Sequence, residues 1–260
     1  MKSFYILLAV LVCSSTITAQ TDHQWIDLTH PFDSTTLYWP NNKTGFVHTQ
    51  DYKGFVRPMG YFYSSYSISA PEHGGTHLDA PIHFAENKLT AADIPLHQLT
   101  GNAIIIDVSE KALQNRDYQI MPQDIIDWEE KNGPIKDSTI ILFRTGYAQY
   151  YPNREKYFGT GHTGAEAIPE LHFPGIHPDA AQWLVDNRKI SSFGIDTPSM
   201  DYGQSTDFKS HQILLGKNIP GFENVNIPLS LPLKNLYLVA LPMKIGSGSG
   251  APLRIMVKIQ

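Results

Sequence analysis

The feature that most constrains the fold is an alternation of short apolar runs with helix-forming segments along the chain. The apolar runs have the length and composition of β-strands, and they begin at Asn102, Ser138, Ser191, Leu236 and Pro252. Helix signals mark Pro122 to Asn132, Pro178 to Asn187, and about Thr206 to Leu215. Proline in the first turn and glycine after the last are typical helix boundaries. This alternation predicts an α/β fold in which helices pack on a mixed sheet.

The remaining sequence predicts one folded domain over residues 21–260. The segment from Trp25 to about Ala70 is richer in strand and turn signals than in helix signals. No internal repeat or low-complexity linker divides the chain. A composition of 42% hydrophobic and 17% charged residues excludes disordered, collagenous and coiled-coil proteins.

Residues 1–20 have the layout of a secretory signal peptide. Lys2 precedes an apolar run from Phe4 to Val12, and small and polar residues follow as far as Gln20. The run is too short for the ~20 residues that a membrane-spanning helix needs. We therefore expect cleavage near Ala19 or Gln20 and export to the periplasm or the extracellular space. A buried N-terminal strand or helix, or a lipoprotein site at Cys13, is the alternative.

The charge balance limits the partners of the chain. Its formal net charge is −5, whereas nucleic acids and anionic membranes normally require a basic surface. No later segment is long and apolar enough to span a membrane. The single cysteine, Cys13, excludes a disulfide framework and cysteine-rich zinc sites. We expect a small-molecule ligand, no nucleic acid and no membrane span.

Histidines are concentrated in one short segment, where His73, His77, Asp79 and His83 occur within eleven residues. On an extended strand the first and last of these would lie ~33 Å apart, too far to share an ion. Glycines at 74 and 75 and the Ala80-Pro81 pair permit the chain to turn around a point.

Imidazole and carboxylate groups are ligands that suit Zn²⁺ or Mn²⁺. Three protein ligands leave coordination positions open, which is typical of a catalytic metal site. A solvated histidine-rich loop, or imidazoles that only cap turns, is the alternative.

The segment HGGTHLDAPIH, residues 73–83, resembles the H-x-G-T-H-x-D-x-P-x-H signature of the metal-dependent cyclase-like hydrolases. This family includes bacterial kynurenine formamidase and isatin hydrolase. Supporting matches are spread over nearly all of the chain after residue 20, at Tyr38 to Pro40, Arg144 to Gly146, Gly194 to Asp201, His211 and Glu223-Asn224. The resemblance implies a swivelling β/β/α-type single domain with a mixed sheet and packed helices, which commonly forms a homodimer.

The resemblance also implies roles for individual residues. The implied metal ligands are His73, His77, Asp79, His211 and Glu223. They would hold one or two divalent ions, with zinc expected and manganese as the alternative. In a binuclear site, the carboxylates of Asp79 and Glu223 would bridge the two ions. His83 would be the general acid and base, and Trp39 would pack on the substrate. Without the family match, His211 would be interpreted as an ordinary histidine near a helix end.

The implied activity is hydrolysis of an aryl-amide C–N bond, in the first place that of N-formylkynurenine in tryptophan catabolism. Opening of an isatin-like lactam is the alternative within the same chemistry. An exported metal- or ligand-binding protein without catalysis is the alternative of another class. Asn41 and Asn42 depart from the family pattern, which has glycine and an acidic residue after Trp-Pro.

Two further patterns, a glycine-serine segment and a run of aromatic residues, indicate structure rather than a site. The segment from Gly246 to Ala251 matches a dinucleotide-binding fingerprint literally, but too few residues follow it for a helix and second strand, so we interpret it as a turn-forming loop. The aromatic run Phe55, Tyr61, Phe62, Tyr63 and Tyr66 is interpreted as strand packing, with one or two rings as candidates to line an aromatic site.

Overall fold

The computed structural model describes residues 25–260. The predicted signal peptide and Cys13 lie outside these residues. Twelve strands occur among them: β1 Trp25–Asp27, β2 Val47–Val56, β3 Tyr61–Ser69, β4 His77–Asp79, β5 Thr100–Asp107, β6 Gln119–Ile120, β7 Ile140–Arg144, β8 Gly175–Ile176, β9 Ser192–Ile195, β10 Gly221–Glu223, β11 Leu236–Pro242 and β12 Gly250–Ile259. The α-helices are α1 Leu96–Leu99, α2 Ser109–Gln114, α3 Pro122–Asn132, α4 Arg154–Phe158, α5 Pro178–Asn187 and α6 Lys209–Leu215.

The central element is a mixed sheet of eight strands in the order β1-β12-β11-β5-β7-β9-β10-β4. Strands β5, β7, β9 and β10 run parallel to one another, and the other pairings are antiparallel. Strand β12 also pairs with β4, so the sheet closes on itself like a barrel. The predicted α/β domain with a mixed sheet and packed helices is confirmed. Its closure was not predicted.

Strands β7, β9 and β10 are buried along their whole length, as expected where a parallel sheet is covered on both faces, and the apolar part of β5 runs from Ala103 to Ile106. Ile105 and Leu142 belong to one hydrophobic cluster, enclosed by the closed sheet. Their chain neighbours Ile106 and Phe143 belong to a second cluster, which includes side chains of α3, α5 and α6. Because side chains alternate along a strand, each of these strands separates the two clusters.

The helix predictions agree with the structure at two of the three predicted sites. Helices α3 and α5 have the predicted bounds, with proline in the first turn of each. The third helix, α6, begins at Lys209, so the predicted start at about Thr206 is wrong. Phe208 precedes it with a left-handed backbone, at φ 49° and ψ 45°, and such a residue cannot continue a right-handed helix toward Thr206.

Strands β2 and β3 form a hairpin that we call the arm, residues 47–69. The two strands pair only with each other, from Val47 opposite Ser69 to Val56 opposite Tyr61. Three pairs of rings connect the two strands of the arm, and the ring centroids of Phe55 and Phe62 are 5.7 Å apart. The interpretation of this aromatic run as strand packing is correct for the strands, but its rings stay exposed and none of them lines the candidate site.

Among residues 25–260, no helix combines the length and the apolar character that crossing a membrane would require.

His30 lies in the protein interior next to the histidine-rich segment, and it predicts a measurable effect on stability. Its ring stacks on Tyr151 at a centroid distance of 3.8 Å, and burial lowers its pKa from 6.5 to about 4. As pH falls from 6.5 to 4, His30 therefore becomes protonated in the unfolded chain, whereas the buried ring of the folded chain stays largely neutral. This difference lowers the free energy of unfolding by about 3 kcal/mol.

We predict that His30→Phe removes this part of the pH dependence, because phenylalanine keeps the stacked ring and has no titrating nitrogen. Urea unfolding at pH 7 and pH 4, with a chelator present throughout, measures the difference. Equal losses of stability in the variant and the wild type would contradict the prediction.

Candidate metal centre

The histidine-rich segment turns twice, and both turns depend on its small residues. Gly75 has a left-handed backbone at φ 54°, and a Cβ atom there would lie 2.7 Å from the ring of Phe32. After β4, Ala80 and Pro81 begin a short 3₁₀ turn that ends at His83. As a result, the rings of His73 and His83 stack at a centroid distance of 3.8 Å.

Two other elements bring the remaining predicted ligands to the same place. Strand β10 runs antiparallel to β4, with Glu223 opposite His77. Helix α6 presents His211, whose Nε2 lies 3.2 Å from Asp79 Oδ2 and 3.4 Å from Glu223 Oε1. His77 Nε2 lies 3.2 Å from Asp79 Oδ1 and 3.6 Å from Glu223 Oε2. The structure thus brings all five predicted ligands together.

Hydrogen bonds behind two imidazoles show which of their nitrogens face the centre. His77 Nδ1 lies 3.0 Å from the carbonyl oxygen of Gly75, and His211 Nδ1 lies 2.5 Å from Asp201 Oδ2. Because these oxygens only accept, each Nδ1 carries a proton and donates it. In a neutral ring, the lone pair on Nε2 then faces carboxylate oxygens that also only accept. A cation between them satisfies both sets of atoms, so the residues fit a divalent metal ion.

The electrostatics of the buried carboxylates also suit a cation. Burial alone would raise the pKa of Asp79, but His83, His73 and His211 around it hold that pKa well below its ordinary value. Burial and the nearby charge of Asp79 raise the pKa of Glu223. Burial alone would lower the pKa of His211, yet hydrogen bonds with Asp201, Asp79 and Glu223 raise it well above its ordinary value. The centre attracts positive charge.

Two overlapping groups of residues offer ligand atoms within 4.8 Å of one another. One group is His73, Asp79 and His83, and the other is His77, Asp79 and Glu223. Asp79 belongs to both groups and has two oxygens to share, so the arrangement accommodates one ion or two. Burial lowers the pKa of His83 from 6.5 to about 4, which leaves the ring neutral at pH 7.

The centre lies at the base of a cavity of about 270 Å³. The walls of this cavity are apolar and mostly aromatic, being formed by Leu37, Trp39, Phe84, Phe158 and Phe208. The predicted substrate-binding residue Trp39 contacts Phe158 and Phe208 edge to face, with both centroid distances 6.4 Å. Asn41 and Asn42 also line the cavity, and no lysine or arginine is among its described lining residues.

Sequence reasoning did not identify three residues that surround the centre. Asp201, the partner of His211, ends the Gly194 to Asp201 match, so its position in that motif was an available signal. Glu72 and Ser249 lie behind His73, and Ser249 is 176 residues distant from it along the chain. No local pattern connects residues so far apart.

Comparisons with known proteins agree with this geometry. A protein family described as "Putative cyclase" matches residues 26–202. The kynurenine formamidase of Salinibacter ruber is 30% identical over 192 residues, which are 74% of this chain and 78% of that protein. The isatin hydrolase of Roseibium aggregatum is 28% identical over 196 residues, 72% of each chain. The structure of isatin hydrolase A from Labrenzia aggregata bound to benzyl benzoate is 28% identical, with a TM-score of 0.79 over 91% of this chain and 93% of that one.

The fold, the converged nitrogen and oxygen donors and these relatives define a metal-dependent hydrolase that acts on C–N bonds other than peptide bonds. The chain belongs to the cyclase family of such hydrolases. The predicted family is therefore confirmed.

Proposed function

We propose that this enzyme hydrolyses an aryl-amide bond and that N-formylkynurenine, which yields kynurenine and formate, is its leading substrate. The observation that carries the proposal is the position of the donor cluster at the base of an aromatic cavity. A flat aromatic ring held by the walls would place its amide next to the donor cluster. A relative that is 30% identical has the name kynurenine formamidase.

The proposed ligands are His73, His77, Asp79, His211 and Glu223, and they would hold one or two ions. A divalent metal ion, when bound, lowers the pKa of water to about 7 and polarises a carbonyl group. We propose Zn²⁺ in the first place, because imidazole and carboxylate are common zinc ligands, with Mn²⁺ as the alternative.

We assign His83 the role of general base and then general acid. Its ring is neutral at pH 7 and can therefore accept a proton from the attacking water. The amine leaves poorly unless its nitrogen is protonated, and the His83 imidazolium supplies that proton. Stacking on His73 keeps the ring beside the donor cluster throughout.

Trp39 is the proposed contact for the aromatic ring of the substrate. Its indole is held by edge contacts with Phe158, Phe173 and Phe208, at centroid distances of 6.2 to 6.4 Å. Aromatic rings favour such edge-to-face and offset-stacked arrangements. A planar aryl amide therefore fits this cavity better than an aliphatic amide does.

Opening of an isatin-like lactam is the second candidate activity, and one observation favours it. N-formylkynurenine carries an amino-acid group whose carboxylate needs a partner, whereas isatin carries none. The described lining residues of the cavity include no lysine or arginine to pair with that carboxylate. Asn41 and Asn42 offer only uncharged amide groups there.

Comparing kcat/KM for three compounds separates these candidates. Formanilide has the same formamide bond as N-formylkynurenine without its amino-acid group, and isatin provides the cyclic amide. The proposal expects N-formylkynurenine to exceed both others. Higher values for isatin would establish the lactam activity instead. Stoichiometric metal with no turnover of any of the three would support a protein that binds metal without catalysis.

We also propose that the enzyme is exported after cleavage of residues 1–20. The signal-peptide layout of these residues supports this proposal. The intact mass of the protein recovered from the periplasm or medium of an expressing bacterium tests it. A mature chain that begins near residue 20 or 21 is the expected result, and a full-length chain retained in the cytoplasm would contradict it.

We propose that the enzyme is a homodimer and that a second copy covers the arm. Nine large hydrophobic side chains between Val47 and Ile68 are 37 to 68% exposed. An isolated two-stranded hairpin is at best marginally stable in water, so a packing partner would stabilise it. A standard interface uses about 20 to 30 residues and about 800 Å² per partner, and these nine side chains would form its apolar centre. A second copy brings an identical apolar arm at the same concentration.

Light scattering on the purified enzyme tests the proposed dimer. We expect the wild type to have the mass of a dimer and the double variant Phe55→Ser, Phe62→Ser to have that of a monomer. Leu96→Ser is the matched control, because Leu96 is exposed but lies outside the arm. A monomeric wild type at micromolar concentration would contradict the proposal.

A further inference from the structure

We propose that Glu72 and Ser249 are positioning residues that orient His73 so that its Nδ1, and not its Nε2, binds the metal. This inference rests on the proposed function of His73 as a ligand. It assigns a role to the glycine-serine loop at residues 246–250, which the sequence suggested only as a turn. The loop lies directly behind the histidine-rich segment.

The contacts begin at Glu72, whose carboxylate is held by the loop. Its Oε2 accepts hydrogen bonds from the backbone N–H groups of Ser249 and Gly250, at 2.9 and 3.2 Å. The same oxygen accepts a third hydrogen bond from Ser249 Oγ, at 2.8 Å. With three donors directed at it, this carboxylate oxygen acts as an acceptor.

The direction of this bond determines the next one. A serine hydroxyl has a single hydrogen, and Ser249 gives it to Glu72. The nitrogen His73 Nε2 lies 2.9 Å from Ser249 Oγ. Because the Ser249 hydroxyl hydrogen is donated to Glu72, Ser249 Oγ can only accept a hydrogen bond from His73. His73 Nε2 therefore carries the hydrogen of that bond. The lone pair of neutral His73 is therefore on Nδ1.

That lone pair is directed at the metal centre. His73 Nδ1 lies 2.7 Å from Asp79 Oδ1, which is an oxygen that only accepts, so a lone pair on Nδ1 requires a cation in contact with both atoms. His77 and His211 have the opposite arrangement of nitrogens. Each donates a hydrogen bond from Nδ1 and directs Nε2 toward the carboxylate of Asp79. Each of the three imidazoles thus has an acceptor behind it, and for His73 that acceptor is supplied by the loop.

The backbone of the loop fits closely around His73. A Cβ atom on Gly250 would lie only 2.5 Å from His73 Cε1, so a side chain at this position would displace the ring. The N–H of Ala80 donates to the carbonyl of Ser249 at 2.9 Å, which fixes the loop to the segment that bears the ligands. These contacts hold the loop against the ring of His73.

The test measures metal affinity in Ser249→Ala, Glu72→Gln and Ser249→Thr by competition with a chromophoric chelator for Zn²⁺ and for Mn²⁺. Partners of metal-binding histidines typically contribute 10- to 100-fold in affinity. We expect Ser249→Ala and Glu72→Gln to lose metal affinity in that range. Ser249→Thr should keep the wild-type affinity, because threonine retains the hydroxyl. Ser247→Ala is the matched control, because Ser247 is an exposed serine of the same loop.

Long-range ¹H–¹⁵N spectra of the zinc-loaded protein give a second readout, which a merely structural role would not change. The wild type should show a proton on His73 Nε2 and none on Nδ1, and Glu72→Gln should shift this equilibrium. Unchanged affinity in Ser249→Ala, or a wild-type proton on Nδ1, would overturn the inference. A wild type that binds neither metal would instead contradict the proposed metal centre itself.

Discussion

Replacing His83 with alanine will lower kcat by about 10²- to 10⁴-fold while the metal content stays at the wild-type value. Proton transfer by a positioned side chain contributes rate enhancements of this size. Burial keeps the pKa of His83 at about 4, so the neutral ring is the form present at pH 7. Steady-state kinetics together with elemental analysis of the same samples measures both expectations.

The outcome for His83→Ala also separates two roles for this side chain, because His83 lies within 4.8 Å of the ligand atoms of His73 and Asp79. Loss of about one equivalent of metal would make His83 a ligand. Full activity would remove it from the mechanism. His97→Ala is the control, because His97 is an exposed histidine outside the cavity.

Replacing Asp79 with asparagine will weaken metal binding by more than about 100-fold and abolish measurable turnover. Asp79 belongs to both groups of candidate ligands, and its two oxygens face His73, His77 and His211. Asparagine keeps the shape but removes the charge that balances a divalent cation, and breaking a buried charge pair costs about 3–5 kcal/mol. Equilibrium dialysis followed by elemental analysis gives the bound metal, and circular dichroism checks the fold.

Asp137→Asn provides the control for this prediction, because the Asp137 side chain is 73% exposed and pairs only weakly with Lys189 at 3.9 Å. It should leave metal content and turnover unchanged. A folded Asp79→Asn protein that retains stoichiometric metal would show that Asp79 is not a ligand.

The fold class could be predicted from the sequence because its signals are local. Strands β5 and β7 contain the short apolar runs Ala103 to Ile106 and Ile140 to Phe143, which are typical of parallel strands packed on both faces. Helices α3 and α5 begin at prolines, which fix the first turn. The start of α6 was missed because the left-handed conformation of Phe208 has no local signal in the sequence.

The site was predictable only as far as its residues share a motif. His73, His77, Asp79 and His83 lie in one segment, whose glycines and proline permit the observed turns. The antiparallel register that places Glu223 opposite His77 is a long-range property of the sheet. The family resemblance supplied that residue before the geometry did. Closure of the sheet through β12 and β4 likewise brings Ser249 behind His73, and neither periodicity nor spacing indicates it.

The exposure of the arm could not be read from its pattern. Apolar residues on both faces of β2 and β3 suggest burial, and hydrophobic rings are more often buried than exposed. Within residues 25–260 nothing covers most of these rings. Their burial by a second copy is the proposal that light scattering tests.

Titration of the metal-stripped mature enzyme with Zn²⁺ and, separately, with Mn²⁺, followed by hydrolysis of N-formylkynurenine and isatin, tests the central claim most directly. A metal-dependent amide hydrolase predicts no turnover before metal is added and turnover that rises to a plateau at one or two equivalents of at least one ion. Metal bound at that stoichiometry without hydrolysis of either compound, or hydrolysis that persists in the stripped protein, would contradict the account.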